Sequence, residues 1–215
     1  MTQYVFNPPA PPSLEVENSD LRFPVGRIFC VGQNYAAHAA EMGSTVARDA
    51  PWYFTKSQTA IAQGGDVPYP PGTQNYHHEV ELVVALGEDA EIFGYAVGLD
   101  MTRRDLQLIA KEKRRPWDAA KDTEAAAIIG ALSTAFVPEE QVISLLQNGE
   151  TRQSAKISEM VWSIPEILTH LSTLYTLRAG DIIMTGTPSG VGPVDRGDQI
   201  EARVEGLPGL RVTMV

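Results

Sequence analysis

Two glutamates spaced two apart, Glu79 and Glu81, open an apolar run, Leu82-Val83-Val84-Ala85-Leu86, that stops at Gly87. The run reads as a strand. Side chains alternate between the faces of a strand. Glu79 and Glu81 therefore share one face, and Val80, Leu82, Val84 and Leu86 share the other. Two carboxylates held that close disfavour joint ionisation. A divalent cation relieves the repulsion, and hard oxygen ligands select Mg²⁺, Ca²⁺ or Mn²⁺. The competing reading is a solvent-facing edge strand whose acids are simply hydrated. A third acid, Asp100, ends a second apolar run, Gly94 to Leu99. It precedes Thr102-Arg103-Arg104-Asp105, whose Thr-x-x-Asp spacing predicts a capping box and a helix from about Thr102 to Arg114. An acid at such a junction is well placed to point into a cleft. His77 falls on the face of the glutamates and His78 on the core face. Neither imidazole suits a site built from hard carboxylates.

A second constellation lies upstream. Asn34 to Gly43 reads as a compact helix with Asn34 as N-cap and Gly43 as stop. His38 and Glu41 fall at i and i+3, on one side of it. A carboxylate that orients an imidazole and stabilises its charged form makes it a base for water. The alternative is an exposed helix carrying an incidental pair. Further on, Gly186-Thr187-Pro188-Ser189-Gly190-Val191-Gly192 lacks the Lys-Ser/Thr of a phosphate-binding loop, which argues against nucleotide binding. It reads as a tight loop whose N–H groups and Thr187 hydroxyl could hold a carboxylate.

Strand-like runs recur from Arg27 onward, punctuated by turn signals at Gly64-Gly65, Pro70-Pro71-Gly72, Gly149, Gly180-Asp181 and Arg196-Gly197-Asp198. Helical candidates are few: Tyr35 to Met42, Thr102 to Arg114, and Ile164 to Thr173, where Pro165 suits a first turn. Strands and helices do not alternate regularly, which disfavours a doubly wound sheet. Residues 1–22 are Pro-rich and read as an arm, leaving 23–215 as one catalytic domain. The chain has 215 residues, enough for one substantial core. Its formal net charge of -10 argues against nucleic acid or an anionic membrane as partner. The lone cysteine, Cys30, lies in an apolar run and reads as a buried thiol. No stretch approaches membrane-spanning length, and a cytoplasmic location is expected.

Taken in order, several blocks make the chain resemble the fumarylacetoacetate hydrolase family, in its acylpyruvate hydrolase branch and nearest its fumarylpyruvate hydrolases. They are Val31-Gly32-Gln33-Asn34-Tyr35-Ala36-Ala37-His38, Tyr53-Phe54-Thr55-Lys56, His77-His78-Glu79-Val80-Glu81, Gly94 to Asp100, Thr102 to Gln107, Arg115 to Lys121, and Thr185 to Pro193. The resemblance implies a mixed α/β but β-dominated fold, rolled mixed sheets with a few flanking helices, usually dimeric. It implies Glu79, Glu81 and Asp100 as ligands of Mg²⁺, with Mn²⁺ or Ca²⁺ as alternatives. It also implies His38 and Glu41 as the water-activating pair, Lys121 as a cation near developing negative charge, and Gln107 at the substrate.

The activity implied is cleavage of an acylpyruvate carbon–carbon bond. The expected substrate is 3-fumarylpyruvate, split to fumarate and pyruvate in gentisate-type aromatic breakdown. A decarboxylase or isomerase of oxaloacetate or another 2-oxo acid could use the same metal site, and so could a non-catalytic oxo-acid binder. A distal substrate carboxylate would need a further cation, for which Lys56, Arg103 and Arg104 stand near the matched motifs. The chain departs from the family after Lys121, where Asp122 to Ile129 replaces a usual Phe-Asp-x-Ser-x-Pro pattern.

Overall fold

The computed structural model describes residues 3–46 and 48–215. Strands dominate, as the β-branched and aliphatic runs require. The central sheet holds β1 (Ile28–Val31), β2 (Tyr53–Lys56), β3 (Ile61–Ala62), β4 (Val80–Leu86), β5 (Ile92–Asp100), β6 (Ala127–Ile129) and β7 (Ile182–Met184). Their order across the sheet is β2-β1-β7-β4-β5-β6-β3. β7 runs parallel to β1 and antiparallel to β4, so the sheet is mixed. A five-stranded sheet is formed by Glu150–Lys156, Val142–Gln147, Gln199–Val204, Leu210–Met214 and Gly65–Val67. A small third sheet joins Thr102–Arg103, Tyr76–His78 and Gly192–Val194. Four short α-helices among the described residues flank these sheets: α1 (Ala36–Glu41), α2 (Arg104–Glu112), α3 (Asp118–Lys121) and α4 (Ile164–Leu174).

β4 lies at the centre of its sheet and all seven of its residues are buried. The edge-strand alternative is thereby excluded, and Val83 and Ala85 on the glutamates' face are as buried as the core face. The buried side chains of β1, β4, β5, β6 and β7 form one contiguous core, to which the second sheet contributes Ile143 and Leu145. Cys30 is enclosed in it, and burial pushes its thiol well above the usual range, as expected of an inert residue. In the N-terminal stretch, Ser13–Glu15 pairs antiparallel with Arg22–Pro24, and Leu14 is fully buried, so this hairpin spans the boundary expected at residue 22. No helix is long and apolar enough to cross a membrane among the described residues.

Two helix starts differ from the sequence expectation. α2 begins at Arg104 and has no side-chain cap. Thr102 is committed elsewhere, bridging to His77 in the small sheet and donating its hydroxyl to the Asp100 carbonyl. Asp105 accepts from Thr73 Oγ1 and the Gln74 N–H, tying the helix to the preceding loop. α1 begins after Tyr35, and Asn34 does not cap it. The Asn34 amide instead accepts from the Trp162 N–H and donates to the carbonyls of Trp162 and Thr185. It fastens the α1 segment to the loop that follows β7.

Candidate metal centre and active site

The register of β4 against β5 builds the acid cluster. Glu81 lies opposite Gly98, and the Asp100 N–H donates to the Glu79 carbonyl at 2.9 Å. With a period of two, Glu79, Glu81 and Asp100 all project from the same face of adjacent strands. One oxygen of each lies within 4.8 Å of the others, and all three residues are buried.

Three buried carboxylates need compensation. The sequence motifs around the acids show no obvious compensating cation, but the fold brings three. Lys121 Nζ donates to Glu79 Oε2 and to Asp100 Oδ2, each at 2.7 Å. Arg104 is bonded to the other Glu79 oxygen. Lys56 Nζ lies 2.8 Å from Asp100 Oδ1, while its hydrogen bonds go to the carbonyls of Met101 and Lys121. Asp100 Oδ1 is thus charge-paired yet lacks a hydrogen bond. Burial pushes Glu79 up, but Lys121 and Arg104 together outweigh it and hold the carboxyl below the usual range. Glu81 has no such cation in contact: burial first, then Asp100 and Glu79, raise it well above the usual range, against the Gly186 N–H it accepts at 2.8 Å. Lys121 is raised, because its two carboxylate partners outweigh the cost of burying its ammonium.

This donor set fits a hard divalent cation. It offers three clustered carboxylates, one of which, Glu81, no cation of the protein contacts. No imidazole belongs to the cluster among the described residues. His77 Nδ1 accepts from Arg104 Nε at 3.4 Å, and burial followed by Arg104 lowers its pKa to about 4. It supports Arg104 behind Glu79. His78 is buried on the core side, bonded to Gln153 Oε1 at 3.0 Å.

The loop after β7 closes over the acids. Gly186 has φ +98°, and a Cβ there would fall 2.6 Å from Asn34 Cβ, so only glycine lets the loop lie against the α1 segment. Its N–H is used by Glu81 and that of Gly190 by Glu41 at 3.0 Å. The expectation that these N–H groups hold a substrate carboxylate is therefore corrected at both positions: they hold glutamates. Thr187 lines the cavity, and its hydroxyl accepts from Gln153 Nε2.

His38 faces the acids from α1 and lines the same cavity. Its Nδ1 is 3.2 Å from Glu41 Oε2, which leaves Nε2 as the nitrogen free to exchange a proton. Gln107 lines the cavity too and accepts from Arg104. Two expected substrate cations lie elsewhere. Arg103 turns to the Ala119 carbonyl and Thr123 Oγ1 and does not line the cavity. Lys56 is enclosed behind Asp100. Adjacent side chains at a helix start diverge, and Arg104 is the one that enters the site. The cavity also takes in Lys111 and Trp117, and Gln153 bonds Thr187 beside it; the sequence motifs assign none of the three a role. Arg104, Gln107 and Lys111 stand at i, i+3 and i+7 on one stripe of α2, a polar period that marks a helix face turned toward a site.

The fumarylacetoacetate (FAA) hydrolase C-terminal family matches residues 27–215. A fumarylpyruvate hydrolase from Ralstonia sp is 48% identical over 176 residues, covering 76% of this chain and 92% of that protein. A mitochondrial oxaloacetate tautomerase of Mus musculus is 43% identical over 202 residues, covering 86% and 89%. Among solved structures, the fumarylpyruvate hydrolase of Pseudomonas aeruginosa in complex with Mn²⁺ and pyruvate superposes with a TM-score of 0.95 at 42% identity, covering 99% of each chain.

Proposed function

The chain belongs to the fumarylacetoacetate hydrolase family, and on that premise we propose that it is a metal-dependent hydrolase that splits 3-fumarylpyruvate into fumarate and pyruvate. The observation that carries the reading is that three clustered carboxylates share one cavity with His38, whose Nδ1 is held by Glu41. Glu79, Glu81 and Asp100 would hold the ion. When bound, a divalent cation supplies Lewis acidity for the enolate of a 2-oxo acid. We extend the reading to Mg²⁺ as the resident ion, a homodimeric cytoplasmic enzyme with one catalytic domain over 23–215, and a role in aromatic breakdown.

The residues have separable tasks. Glu41 holds His38 through Nδ1, so Nε2 takes a proton from water as the oxygen adds to the 4-oxo carbon. The C3–C4 bond then breaks, its electron pair passes to the pyruvate enolate, and a proton returns to C3. Lys121 sets fixed positive charge beside the forming enolate, which requires no reorganisation as the charge develops. Gln107 and Thr187 orient the oxo acid.

A second reading is tautomerisation of oxaloacetate, favoured by the 43% identical relatives of that name. It moves a proton between carbon and oxygen and requires no attacking water. Purified protein with Mg²⁺ or Mn²⁺, assayed on fumarylpyruvate, acetylpyruvate and oxaloacetate, separates the two. Efficient fumarylpyruvate cleavage supports the hydrolase; turnover of oxaloacetate alone overturns it.

A further inference from the structure

We propose that Lys111 is the specificity-determining cation for the distal carboxylate of the substrate. The inference rests on the hydrolase reading for the identity of that substrate, a 2-oxo acid with a second carboxylate at its far end. Three cations among the described residues line the cavity: Arg104, Lys111 and Lys121. Arg104 is committed to Glu79, and Lys121 to Glu79 and Asp100. Lys111 has no carboxylate within 4.0 Å among the described residues. It is also half-buried, and it lines the same cavity as the acids.

Its surroundings suit a flat conjugated chain. The ammonium lies over the Trp117 ring, 5.1 Å from the centroid, and Trp117 packs edge-on against Trp52 at 5.1 Å. Trp52, Phe54 and Trp117 line the same cavity as the acids and Lys111. A planar unsaturated segment gains contact on such aromatic surface, and its terminal carboxylate meets the one unspent charge. The helix supplies the spacing: Gln107 and Lys111 are one turn apart on α2, so one reaches the oxo-acid end and the other lies a turn further out.

The test compares 2-oxoheptanedioate with 2-oxoheptanoate, which differ only in the distal carboxylate. Binding to the full-length protein with Mg²⁺ is read by calorimetry, alongside kcat/KM for fumarylpyruvate and acetylpyruvate. The parent protein should prefer the diacid by roughly 10–100-fold, the worth of a charge-assisted hydrogen bond. Lys111→Met, which keeps an unbranched stem over Trp117, should bring that ratio close to one, and Lys111→Arg should retain most of it. A Lys111→Met protein with the parent ratio overturns the proposal. If the parent cleaves neither acylpyruvate but its diacid preference is lost in Lys111→Met, the hydrolase reading fails and the role of Lys111 stands. A parent with no diacid preference overturns the role whatever its activity.

Discussion

The inner and outer halves of the site are built differently. Glu79, Glu81 and Asp100 stand on or beside two paired strands at the centre of the sheet, where every residue of β4 is buried. His38 and Glu41 stand on a six-residue helix, and Lys111 on the partly exposed face of α2. A helix of six residues is marginal alone. α1 is held by the three hydrogen bonds of the Asn34 amide next to it and by the Gly190 N–H on Glu41. The contrast teaches that the charge-dense part of the site is positioned by backbone ladders, whereas the proposed proton transfer and substrate choice rest on side chains at the rim.

The sharpest way to break that contrast is to disturb the rim. His38→Ala should cost roughly 10²–10⁴-fold in kcat for an acylpyruvate, the usual worth of a positioned acid–base group. Thermal stability and Mn²⁺ affinity should change little, because His38 is not part of the acid cluster. Stopped-flow kinetics with a melting curve on the same preparation reads both. A large stability loss would place His38 in the structural half instead.

The inner half should respond in the opposite sense. Lys121→Met removes the ammonium shared by Glu79 and Asp100. Breaking a buried ion pair leaves uncompensated charge and costs about 3–5 kcal/mol. Chemical denaturation without metal should show that loss. Added Mn²⁺ should recover part of it, since an ion that binds only the folded state stabilises that state. A variant as stable as the parent would show that the cluster does not need Lys121.

These halves were also unequally legible in the sequence. Glu79-x-Glu81 with Asp100 at the end of the next apolar run is a period-two pattern, and strand pairing converts it directly into one acid cluster. His38 and Glu41 were legible for the same kind of reason, because i and i+3 lie together on a helix. The counter-ions were not. Lys56, Arg104 and Lys121 lie on three different elements, and only tertiary packing brings them to the acids. The choice between Arg103 and Arg104 needed the helix start, which the expected capping box placed too early. Gln153 had no local signal at all. It sits in a strand of the second sheet and accepts from Val80 N–H while donating to Thr187, joining the acid strand to the loop after β7.

If the proposed function holds, Glu79, Glu81 and Asp100 bind a divalent cation on which hydrolysis depends. Calorimetric titration of Mn²⁺ into the metal-free parent and into Asp100→Asn, paired with fumarylpyruvate assays of the same samples, tests it most directly. A single site in the parent, a marked loss of affinity in the variant, and activity that follows occupancy in both are expected. Undiminished hydrolysis by the parent in excess chelator would contradict that dependence.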